Sequence, residues 1–221
     1  MSETILTRQL DINECPELDS MPMDQVGDYL EQKAQKHFID CRNWSERYPY
    51  HPLTIFTIAR TGRYIYVDYF VRCNYLRAVN YTDNSPVADD SCVEFFLKVP
   101  GSDEYWNLEF NCIGTVNASH RVTRPKPTRL TGEEIASIKR YASCGTRPFE
   151  EMEGLFAWNL TVGVPLELVG LDPANLPEYI WGNFYKCAGK TGLPHFLSWS
   201  PIVAPEPDFH RPEFFGKLYL R

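Results

Sequence analysis

Between residues 53 and 73 the chain carries two apolar runs, LTIFTIAR and RYIYVDYFVRC, separated by Thr61-Gly62. Successive side chains of a strand point to opposite faces, so a period of two is the pattern a sheet imposes. In the second run Ile65, Val67, Tyr69 and Val71 alternate with Tyr64, Tyr66, Asp68 and Phe70. Both sets are mainly apolar or aromatic, which predicts a central strand covered on both faces, and the Thr-Gly link predicts a hairpin. Further strand-like runs follow at 92–100, 105–114, 156–165, 181–189, 195–202 and 215–221, separated by Gly, Pro and Asn turns. Many short strands with such punctuation predict an all-β chain: a single β-sandwich, jelly-roll-like domain over residues 1–221.

Helical spacing is confined to two insertions. In residues 24–38, Val26, Tyr29, Leu30 and Ala34 share one face, and Asp24 is placed to cap the helix. This helix falls within a lead-in over residues 1–40, whose first part, 1–22, is expected to be extended because of Pro16 and Pro22. Residues 131–141 open with Thr131 and Glu134, the spacing of a capping box. Residues 115–130, with Pro125 and Pro127 among polar side chains, and 171–179 are expected to be loops.

The net charge of −7 leaves no basic face of the kind that neutralises phosphates, so neither nucleic acid nor an anionic membrane surface is an expected partner. No run approaches the ~20 apolar residues of a membrane span. Seven cysteines, an odd number at irregular spacing with no CxxC pair, argue against a structural zinc site. Several lie in apolar runs, where a thiol behaves as a small hydrophobe, and all seven are expected to be free. A polar N-terminus beginning with Met1 and reduced cysteines point to the cytoplasm; a removed signal would place the chain in the periplasm or outside the cell.

Phosphate-binding glycine loops, GxSxG, HExxH and EF-hand patterns are absent. Three segments place polar groups inside strand patterns. Glu94 interrupts the apolar run 92–97 and needs a partner if buried: Arg77 or Arg72, or a ligand hydroxyl. Asn107, Glu109 and Asn111 alternate on one face beside Trp106. Trp181, Asn183 and Lys186 are followed by His195 and Trp199. Sugars present C–H patches for rings and hydroxyls for Asn, Glu, Lys and Arg, so the composition suits a sugar site. For any one aromatic, core packing is an equally available role.

The runs DDSCVEFFL (89–97), YWNLEFNCIG (105–114), WNLTVGVP (158–165), NFYKC (183–187), HFLSWSPI (195–202) and FHRPEFFG (209–216) together resemble the family 9 carbohydrate-binding modules that accompany xylanases, in the form common in gut Bacteroidetes. That resemblance implies a β-sandwich, no catalysis by the module itself, and often a structural calcium. It also implies a terminal sugar held between two tryptophans, with a glutamate and Asn or Arg around its hydroxyls. Glu94 corresponds to that glutamate, and Trp199 is a candidate for one ring. The other ring falls near Ala88, which cannot stack, leaving Trp106, Trp181 or Tyr81 to substitute. The expected site therefore gathers Glu94, Asn111, Asn183, Lys186 and Trp199, with Arg77, Trp106 and Trp181 nearby. Two other readings stay open: a glycoside hydrolase, which needs two apposed carboxyls in one cleft, and an interaction sandwich without a polar pocket.

Overall fold

A computed structural model describes residues 7–221, so the first six residues of the expected lead-in lie outside the described residues. In chain order the elements are β1 (Gln9–Ile12), α1 (Met23–Lys33), β2 (His37–Phe38), β3 (Leu53–Arg60), β4 (Tyr64–Ala78), β5 (Cys92–Lys98), β6 (Tyr105–Asn111) and β7 (Val116–Arg121). There follow β8 (Thr128–Arg129), α2 (Gly132–Ser137), β9 (Lys139–Ala142), β10 (Phe149–Pro165), β11 (Tyr179–Ala188), β12 (His195–Ser198) and β13 (Gly216–Leu220). They form two packed sheets. The larger runs β1-β13-β11-β5-β6-β7-β8, with β12 also paired to β11; the smaller runs β2-β3-β4-β10-β9. The hairpin at Thr61-Gly62 joins β3 to β4, and β4 is the middle strand of its sheet, as its two-sided pattern predicts.

The sheets meet through their inward residues. Phe56 of β3 stacks on Phe184 of β11 at 3.9 Å between centroids, and Phe184 stacks on Phe95 of β5 at 4.7 Å. All three rings are fully buried, each contributing roughly 1.5–3 kcal/mol by leaving water. The outer face of the smaller sheet is partly covered by α1 and the 3₁₀ turn at Pro16–Ser20, which bury Leu18, Val26 and Leu30 against Ala59 and Tyr66. Gly27 permits that approach: a Cβ there would lie 2.8 Å from Asp68 Oδ1. The outer face of the larger sheet is crossed by the segment between β12 and β13.

The expected loop at 115–130 instead contains β7 and β8. The polar residues that suggested a loop, Asn117, Ser119 and His120, form a ladder against β6, and Asn117 and Ser119 bond Glu109 and Asn107 on its polar face. The first helix stops at Lys33, and its N-cap is Pro22 with no side-chain cap; Asp24 sits in the first turn, where it complements the helix dipole. The second helix keeps the expected capping box, with Thr131 Oγ1 accepting from the Glu134 N–H and Glu134 accepting from the Thr131 N–H. It ends at Ser137, before β9. Thr131→Ala is expected to cost about 1 kcal/mol, read as a lower urea midpoint with unchanged slope.

Candidate functional site

Because Val93, Phe95 and Leu97 turn into the sandwich, Cys92, Glu94 and Phe96 of β5 must face outward. The cross-strand register extends this row. Glu94 stands opposite Glu109 on β6 and Tyr185 on β11, while Cys92 stands opposite Cys187. The segment between β12 and β13 is held over this face by specific bonds. Asn183 Oδ1 accepts from the Ser200 N–H at 2.8 Å, and its Nδ2 donates to the Ser200 carbonyl at 3.0 Å. Phe209 stacks on Tyr185 at 4.2 Å, and the Tyr185 hydroxyl donates to the Phe209 carbonyl. Trp44 Nε1 donates to the Ala204 carbonyl.

Between sheet and segment lies a cavity of about 210 Å³. Glu94, Phe96, Glu109 and Cys187 line its sheet side, Ala88 closes one edge, and Phe196, Phe209, Asp208, His210 and Arg124 complete the wall. Burial pushes the Glu94 carboxyl well above the ordinary carboxylate range; its Oε1 accepts from Cys187 Sγ at 3.1 Å and Cys92 Sγ at 3.8 Å. Glu109 is raised by the same cause, opposed by Asn117 and Asn107, which each donate an amide hydrogen to one of its oxygens at 2.9 Å. Burial, with the nearby Arg121 and Arg124, drives His210 down to about 3, so its ring is neutral at physiological pH. Arg124 pairs with Asp208 at 3.1 Å on the rim. The cavity is thus a polar-floored, ring-walled pocket whose buried acid is shifted toward its neutral form by desolvation.

Of the expected site residues, Glu94 alone lines this cavity. Asn111 and Asn183 share its face, but their amides are consumed: Asn111 bonds Asn80, Asp90, Ile113 and Thr115, and Asn183 bonds Ser200. Arg77 pairs with Asp90 rather than with Glu94. Trp181 faces outward but lies four residues along β11 from Tyr185, under the Lys217 ammonium. Lys186 has the parity of Phe184 and therefore points into the sandwich, donating to the Cys187 carbonyl beside His195 Nε2. Trp106 also turns inward, packing on Gly170 and His120. Trp199 is a core residue set edge-on to Phe56 and Phe184. Tyr81 is largely exposed and lies elsewhere.

Phe209, Asp208 and His210 belong to a crossing segment whose course no periodicity announces. Cys92 was visible as the residue two before Glu94, on the same strand face. A second cavity, of about 430 Å³, opens beside α1 on the other sheet, around Asp68, Thr57, Thr161, Asn159, Phe70 and Tyr141.

The family model for carbohydrate-binding family 9 matches residues 24–220. The chain belongs to carbohydrate-binding family 9. A crystal structure of a protein from Bacteroides uniformis, assigned as carbohydrate-binding, is 35% identical with a TM-score of 0.91, covering 98% of this chain and 100% of its own. Two structures of a family 9 module from Caldicellulosiruptor kristjanssonii are more distant. The complex with glucose is 13% identical with a TM-score of 0.56, over 97% of this chain and 96% of that one. The complex with cellotriose is 12% identical with a TM-score of 0.51, over 97% and 94%. These two share the fold. No curated protein matches the chain. The family 9 β-sandwich is the observed architecture, and no helix among the described residues is long and apolar enough to cross a membrane. Calcium takes hard oxygen ligands. Among the described residues the one cluster of three His, Cys, Asp or Glu ligand atoms, Cys92, Glu94 and Cys187, contains two thiols and so is not the oxygen set that calcium takes.

Proposed function

We propose that this family 9 protein is a non-catalytic carbohydrate-binding protein that seats one end of a glycan in the Glu94 cavity. The observation that carries the reading is Glu94 itself: a buried acid, at the position of the family's sugar-binding glutamate, opening into a ring-walled pocket. With about 210 Å³ the pocket is smaller than the ~300–1,000 Å³ that encloses a drug-sized ligand, which suits a terminal sugar rather than the middle of a chain. Phe196 and Phe209 supply the apolar wall that Ala88 lacks, and Glu94, Asp208 and Arg124 supply hydroxyl partners.

Glycoside hydrolysis is the weaker reading. It needs two carboxyls flanking the scissile bond. Glu94 and Glu109 rise side by side from neighbouring strands of one floor, and both Glu109 oxygens are taken by asparagine amides.

Glucose and cello-oligosaccharides, the ligands of the Caldicellulosiruptor structures, are the first probes for calorimetry. Glu94→Leu keeps the volume and removes every hydrogen bond, so it is expected to weaken binding about ten- to hundred-fold. Because burying a carboxyl is itself costly, the same change should leave the melting temperature unchanged or raised. Unaltered affinity in the folded variant would remove Glu94 from the sugar site.

A further inference from the structure

Cys92, Glu94 and Cys187 converge more closely than sugar binding requires. Cys92 and Cys187 are direct cross-strand partners on β5 and β11, and Glu94 lies two residues along on the same face. Their ligand atoms all lie within 4.8 Å of one another, and all three side chains are buried. Glu94 Oε1 is 3.1 Å from Cys187 Sγ and 3.8 Å from Cys92 Sγ. A tetrahedral zinc ion with Zn–S near 2.3 Å and Zn–O near 2.0 Å sets S···O separations of about 3.5 Å. The two observed S···O separations bracket that value, and the two sulfurs lie within 4.8 Å of each other.

We propose that Cys92, Cys187 and Glu94 form a three-ligand site for a thiophilic divalent cation, with zinc the fitting ion and the fourth position open to the cavity. The donor set decides the class: two thiolates and one carboxylate suit zinc and not calcium or magnesium. Access is provided because Glu94 and Cys187 both line the cavity. Binding releases two thiol protons and the carboxyl proton to solvent, leaving a complex of charge −1. Behind it, on the opposite face of β11, the buried Lys186 donates to the Cys187 carbonyl at 2.7 Å. The missing CxxC motif does not count against the site, since ligands on adjacent strands are brought together by register rather than by spacing along the chain. The open position would take water, or a sugar hydroxyl if the proposed function holds; the metal site itself does not depend on sugar binding.

The test uses the full chain, reduced and treated with a chelator. Cobalt(II) is added as a spectroscopic stand-in, followed by zinc. The expected result is one cobalt per chain, with thiolate-to-cobalt charge-transfer absorption and strong visible bands of four-coordination, both abolished by stoichiometric zinc. Zinc should also shield Cys92 and Cys187 from alkylation, mapped peptide by peptide on the unmutated protein, so the reading survives if a variant fails to fold. Cys187→Ser should weaken cobalt binding at least about hundred-fold. Absent charge-transfer absorption, shielding confined to another thiol pair such as Cys112 and Cys144, or a Cys92–Cys187 disulfide in the protein as isolated would each overturn the proposal. Sugar calorimetry on the zinc-free and zinc-loaded forms separates the two readings. Binding of glucose or cello-oligosaccharide without metal uptake sinks only the metal site, and metal uptake without sugar binding sinks only the sugar reading.

Discussion

Trp199→Ala is expected to lower the folding free energy by about 3–5 kcal/mol, the range for removing a large aromatic from a packed core. Trp199 is 2% exposed and lies edge-on to Phe184 at 5.8 Å and Phe56 at 6.2 Å, joining the two sheets. Its backbone N–H donates to the Phe184 carbonyl, and its carbonyl accepts from Cys41 Sγ, so the ring is fixed from both ends. Gly216 on β13 leaves room for it: a Cβ there would lie 2.4 Å from the indole. Truncation opens a void that these neighbours cannot fill without moving both sheets. For a chain of this size the melting temperature should fall by roughly 6–20 °C. The comparison that matters is with sugar affinity. Trp199 does not line the Glu94 cavity, so the folded variant should bind sugar as the parent does. A loss of affinity with unchanged melting would instead make Trp199 a stacking ring.

The same residue shows which parts of the molecule were readable from sequence. Alternation in 53–73 disclosed β3, β4 and their hairpin, because burial on two faces writes itself directly into residue type. Thr131 and Glu134 disclosed a helix start, because a capping box is a purely local bond pair. Position relative to the sheet was also available in principle. Lys186 has the parity of Phe184, so period two already set it on the face opposite Tyr185 and Cys187. Its charge drew it into the expected site, and a buried lysine is rare enough that charge outweighed parity. Asn111 and Asn183 share the sheet face of Glu94, but their amides hold loops. Nothing local distinguishes an amide that binds a ligand from one that binds Ser200 or Thr115. The walls of the cavity come from residues 196–210 crossing the sheet, a long-range arrangement set by Phe209 on Tyr185 and by Asn183 on Ser200.

Asp68 supplies the second large effect, and it is a dependence on pH. Its side chain lies on the outer face of β4 beneath Gly27 of α1, 5% exposed. Burial raises it from 3.8 to about 6, against donation from Thr161 and Asn159, with Glu31 and Asp28 of α1 adding repulsion. Lys36, the cation lining the same cavity, is paired with Glu31 at 3.0 Å. A carboxyl whose folded value is raised holds its proton more tightly in the native state. Its contribution is therefore complete below pH 3.8, diminishes as the unfolded chain ionises, and is gone once pH passes about 6. A rise of that size corresponds to about 3 kcal/mol. Asp68→Asn removes the ionisation while keeping an oxygen to accept from Thr161 Oγ1, now 2.7 Å away. It also sets an amide opposite Thr57, whose buried hydroxyl has no partner among the described residues. Urea unfolding of parent and variant should give similar stabilities near pH 4, and an advantage to Asp68→Asn of about 2–3 kcal/mol at pH 7. Glu94 and Glu109 shift in the same direction, but they are common to both proteins and cancel in the difference. Parallel stability curves across that range would show that Asp68 ionises alike in the folded and unfolded chains, and that the cavity beside α1 compensates its charge.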